Sequence, residues 1–90
     1  MTERSRPKLA AKARLRVDRR SGGWMLLTPE RGLLLNRSAG EILELCTGGH
    51  TVGMIVERLA QRHMESGRDT IVADVFSLLA TLSARGLIEE

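Results

Sequence analysis

Apolar residues in this chain first alternate, then cluster, then recur every third or fourth position. Leu15 and Val17 alternate with Arg14, Arg16 and Asp18, the pattern of a half-exposed strand. Ser21-Gly22-Gly23 reads as a turn, and Trp24-Met25-Leu26-Leu27-Thr28 as a second strand. Pro29 presets φ for another turn and Gly32 tolerates the angles that close it. Leu33-Leu34-Leu35, bounded by turn residues, gives a third strand from Gly32 to Asn36. Two turns between three short runs predict an antiparallel meander. Side chains alternate along a strand, so Leu34 is expected to face opposite to Leu33 and Leu35.

Beyond Asn36 the period becomes helical. Ser38 followed by Glu41 fits a capping box, and Ala39, Ile42, Leu43 and Cys46 share one face of a helix from about Ser38 to Cys46 or Thr47. Gly48-Gly49 supplies a left-handed stop. Thr51 caps a second helix ending near Met64, with Val52, Ile55, Val56 and Leu59 on one stripe. Asp69 or Thr70 caps a third helix to about Arg85, with Gly86 after it. Its apolar band (Ile71, Val72, Val75, Phe76, Leu78, Leu79, Leu82) is too wide for one buried stripe, and suits a helix buried on two sides or one with a face kept for a partner. The fold expected is α+β and winged-helix-like: a three-stranded antiparallel meander followed by three helices. Residues 1–11 show no period and contain Pro7, so they are expected to form a loosely ordered arm, with a single domain over 12–90.

Charge sharpens that division. The first 20 residues hold eight Lys or Arg against Glu3 and Asp18, while the rest is mildly acidic. Such a basic arm fits contact with something acidic, or a solvated tail. One cysteine excludes an internal disulfide and fits a cytoplasmic location. No run approaches the roughly 18 apolar residues of a membrane span, and no apolar core follows the basic N-terminus as a signal peptide requires.

No catalytic constellation is visible, so an enzyme acting alone is not expected, and neither is a cofactor. Cys46 and His50 are separated by two glycines that break helical pairing, and one Cys with two His is too few for a zinc site. Cys46 reads as a small buried residue and His63 as a helix-flank histidine. The basic arm and winged-helix pattern raise nucleic-acid binding. The third helix argues against it, because Asp74, Ser77, Thr81, Ser83 and Ala84 form its outward face with Arg68 and Arg85 only at its ends. The third strand suggests another use. With no following strand to pair with, its open edge can accept an extended peptide, with apolar residues of the helices as side-chain pockets. The same edge, or a swapped N-terminal strand, could also pair two copies into a homodimer.

The ordered series Arg6-Pro7-x-Leu9, Arg14-Leu15-x-x-Asp18, Leu27-x-Pro29-Glu30, Leu35-Asn36-x-x-Ala39-x-x-Ile42-Leu43-x-Leu45-Cys46-x-Gly48, Thr51-Val52-x-x-Ile55-Val56-x-x-Leu59, Asp74-Val75-x-x-x-Leu79-x-x-Leu82 and Gly86-Leu87 resembles the PqqD family, pyrroloquinoline quinone biosynthesis protein D. Members are peptide-recognition elements of ribosomal peptide modification. The resemblance implies a non-catalytic chaperone that binds the precursor peptide PqqA and presents it to the radical SAM enzyme PqqE. It implies a peptide groove between the third strand and the helices. Carried onto this chain, that places Leu33, Leu34, Leu35 and Asn36 on the strand side, with Ile42, Val75 and Leu79 as the expected apolar wall. The alternatives are a winged-helix nucleic-acid-binding module and a recognition element of another modified-peptide pathway.

Overall fold

The computed structural model describes residues 1–90. In chain order the elements are β1 (Lys8–Leu9), β2 (Arg14–Val17), β3 (Trp24–Leu27), β4 (Gly32–Leu35), α1 (Arg37–Glu44), α2 (Val52–Arg62), α3 (Arg68–Ala84) and β5 (Ile88–Glu89). The expected meander is present, ordered β2-β3-β4. Its first turn is closed by Asp18, whose N–H donates to Gly23 O at 2.7 Å and whose O accepts from Gly22 N–H at 2.8 Å. Gly22 sits there at φ +73°, a conformation that favours glycine. In the second turn the Thr28 N–H donates to Arg31 O at 2.9 Å.

Leu26, Leu43, Val52, Ile55, Val75 and Leu79 are the fully buried centre, drawn from the middle strand and all three helices. The sheet lies on α1 through a close approach. A side-chain carbon at Gly40 would fall 2.7 Å from Trp24 Cβ and closer still to the indole ring. Only a glycine lets α1 sit this near β3.

The helices follow the apolar period, but their ends differ in detail. Asn36, not Ser38, caps α1, its Oδ1 accepting from Ala39 N–H at 2.8 Å. Glu41 does not turn back to complete a capping box, because its carboxylate is held by Arg37 and His63. α1 ends at Glu44, with Leu45 as its C-cap. Thr51 caps α2 as expected, taking the Met54 N–H at 3.1 Å. α3 starts at Arg68, earlier than expected, behind a Gly67 cap that makes no side-chain bond.

The largest departure is the N-terminal arm, expected to be loosely ordered and found docked along its length. β1 pairs antiparallel with β5 in a second, two-stranded sheet. Pro7 is fully buried. The arm also completes α2. Val52 N–H donates to Ser5 O at 2.9 Å and Gly53 N–H to Glu3 O at 3.0 Å. Helix starts leave N–H groups without intrahelical partners, and here the arm's backbone satisfies two of them. None of these bonds needs a side-chain period, so the hydrophobic pattern carried no trace of them.

Candidate functional site

Strand β4 has one neighbour. Its register against β3 pairs Gly32 with Leu27, Leu33 with Leu26, Leu34 with Met25 and Leu35 with Trp24. Antiparallel pairs alternate between hydrogen-bonded and non-bonded. The Thr28–Arg31 bond sets the phase, so Leu33 and Leu35 bond to β3. The N–H and C=O groups of Gly32 and Leu34 therefore point away from the sheet. No other element pairs with that side, since β5 is taken by β1. The rim is short, about 10 Å from Gly32 to Leu35 at the strand rise.

Across from this edge runs α3, in the opposite direction. Two separate recesses lie here: at the hairpin end one is lined by Leu33, Leu87, Glu30, Lys12, Arg31 and Arg85. At the other end, Asn36, Ala39 and Ile42 face Asp74, Leu78 and Thr81 around about 310 Å³. On α3, Asp74, Leu78, Thr81 and Arg85 recur at three- and four-residue steps, which puts them on one stripe.

The residues singled out from the sequence divide into two sets. Leu33 and Leu35 are half-buried with side chains packed on the core. Leu34 faces the opposite way and is 73 % exposed. Asn36 is exposed beside the strand end, its side chain occupied as the α1 cap. Ile42 is buried and backs the cleft. Val75 and Leu79 are both 0 % exposed at the centre of the core, and Val75 lies with Asn36 and Ile42 in the lining of the cleft between the helices. The α3 residues that line the recess beside Asn36 are Asp74, Ser77, Leu78 and Thr81. Their signal lay in the excess width of the apolar band. Ile71, Val75, Leu79 and Leu82 form the buried stripe, which leaves Leu78 as surplus on the next face.

A further cleft, about 370 Å³, adjoins the recess beside Asn36, sharing Asn36, Ser38, Ile42 and Asp74 with it, and opens between α1, α2 and α3. There His63 Nε2 lies 2.5 Å from Glu41 Oε2, tying the end of α2 to α1. Burial works to raise the Glu41 carboxyl, but the hydrogen bond and charge of His63, with Arg37 in support, hold it below its ordinary value. Cys46 is buried, and burial pushes its thiol up to about 12, which disfavours the thiolate. No three His, Cys, Asp or Glu side chains converge as a metal would need. No helix is long and apolar enough to cross a membrane.

A family model described as coenzyme PQQ synthesis protein D (PqqD) matches residues 23–88, from β3 through α3 into β5. Relatives named PqqA binding protein align over the whole chain: one from Rhodopseudomonas palustris (strain HaA2) is 39 % identical and covered to 87 %. Another, from Bradyrhizobium diazoefficiens, is 36 % identical and covered to 86 %. A third, from Xanthomonas oryzae pv. oryzae, is 35 % identical over 98 % of this chain and 95 % of its own. Among solved structures, the chain is similar to the PqqD truncation of Methylobacterium extorquens PqqCD. That solution NMR structure is described as a functional, stand-alone recognition element for ribosomally synthesized and post-translationally modified peptides. The two share 33 % identity and a TM-score of 0.78, over 93 % of this chain and 88 % of the other.

Proposed function

The chain belongs to the PqqD family, and on that premise we propose that it is a peptide-recognition element that captures a PqqA-type precursor as an added strand on β4. It performs no chemistry on the peptide and hands it to a radical SAM enzyme of the PqqE type. The observation that carries the reading is the uncovered rim of Gly32 and Leu34 beside the α3 stripe. Main-chain bonds to these two residues supply affinity for any extended segment, and the recesses at Leu33 and at Leu78 supply choice of side chain. Val75 and Leu79 serve behind this surface by fixing the position of α3.

Titration of 15N-labelled protein with the PqqA peptide tests this. Amides of Gly32–Asn36 and of α3 from Asp74 to Arg85 are expected to shift together. Shifts confined to residues 1–20 would leave only charge attraction to the basic segment and refute the groove.

A further inference from the structure

The two recesses beside β4 differ in charge. Lys12, Arg31 and Arg85 converge around Leu33 at the hairpin end, with Glu30 the one carboxylate among them. None of these three cations takes part in an ion pair. At the other end the lining carries Asp74, also unpaired, and no Lys or Arg. Three cations outnumbering one carboxylate in one recess raise the local potential and favour an anionic group there.

We propose that the segment seated on β4 carries a carboxylate side chain at the hairpin end, over Lys12, Arg31 and Arg85, and apolar side chains beyond it over Leu33, Leu35 and Leu78. This rests on the groove reading above and adds what kind of peptide the groove accepts. An added strand presents every second side chain to one face. The carboxylate therefore stands two and four residues from the apolar anchors on that face. The charge sets register: a segment slipped by two residues toward α1 carries its carboxylate away from the cations and toward Asp74. The docked arm has a share in this, because Lys12 reaches the recess beside Gly86, its Nζ within 3.3 Å of where a side-chain carbon there would lie.

The test uses a synthetic PqqA peptide of Rhodopseudomonas palustris and a set in which each Asp or Glu is singly replaced by its amide. These are titrated into labelled wild-type protein, into the Arg31→Glu/Arg85→Gln double variant and into Asp74→Asn. Gln at 85 keeps the helix end uncharged rather than reversed, and melting curves check that the variants fold. One replacement is expected to weaken wild-type binding about fivefold, as a partly exposed ion pair does. The loss shrinks at high salt, persists in Asp74→Asn and vanishes in the double variant. If every amide replacement is neutral, or the double variant still feels the loss, while Gly32–Asn36 amides continue to shift, the charge-reading is wrong and the groove stands. If those amides do not shift with any peptide, the groove reading falls and this inference with it.

Discussion

Leu34→Pro separates the free edge of β4 from everything else the protein does. The Leu34 N–H points away from β3, so a proline there removes no bond of the sheet, and edge positions are where strands tolerate proline. The side chain being replaced is 73 % exposed, so little packing is lost. Folding stability is therefore expected to change by less than about 1 kcal/mol. A bound strand suffers far more. It loses one main-chain hydrogen bond, worth about 1 kcal/mol net, and one of its carbonyls is left facing the proline ring without a donor, a further 1–2 kcal/mol or so. The sum, about 2–3 kcal/mol, is a loss of roughly 30- to 150-fold in affinity. Isothermal titration with the PqqA peptide reads it, with Leu34→Ala as the control that keeps the N–H. Wild-type affinity in a Leu34→Pro protein that melts normally would refute strand addition on β4.

Gly40→Ala is expected to destabilise by about 2 kcal/mol in urea unfolding, since overlap with the root of the Trp24 side chain outweighs the roughly 1 kcal/mol of helix propensity gained. Stability equal to or above wild type would mean that α1 and β3 separate without cost. Deleting residues 1–6 strips Val52 and Gly53 of their acceptors and is expected to cost about 2 kcal/mol, or roughly 8–16 °C in Tm by calorimetry. An unchanged Tm would return the arm to the status of a loose tail. The Glu41 carboxyl is held below its ordinary value of 4.5, so its contribution is full above that pH and is lost as pH falls through the lower folded value. The drop in urea midpoint between pH 6 and pH 3 should thus be smaller in Glu41→Gln than in wild type, and an equal drop would place the acid sensitivity elsewhere.

The residues legible from the sequence were those whose role is carried by their own side chains. Leu33 to Leu35, the Thr51 cap and the stripe through Val52, Ile55, Val56 and Leu59 follow from period and composition alone, and the structure has them so. The two-stranded β1–β5 sheet was not legible, because two residues on each side are too few for any period and their partners lie far apart in the chain. The face of α3 next to β4 was the hardest part to read. On α3 every apolar residue from Ile71 to Leu82 looks alike, and choosing which of them faces the core requires knowing where β3 and α2 sit. Packing consumed Val75 and Leu79 and released Leu78. Glu41 was misassigned for a related reason: its partner His63 lies 22 positions away, beyond any local capping rule.

The two edges of the three-stranded sheet are built differently, and the difference bears on purpose. β2 carries the exposed Arg14 and Arg16, and long cations on an edge strand discourage another chain from pairing there. β4 reads Gly-Leu-Leu-Leu, without a charge, a proline or a bulge among its paired residues. A protein that needed only to stay monomeric would protect both rims. The one device left on β4 is its shortness, four residues with two sets of outward groups; on the strand-addition proposal, a segment seated there gains further contact from the recess under Leu78. On the strand-addition proposal, affinity depends on both contributions together: the rim accepts any backbone, and the recess beside it decides which backbone stays.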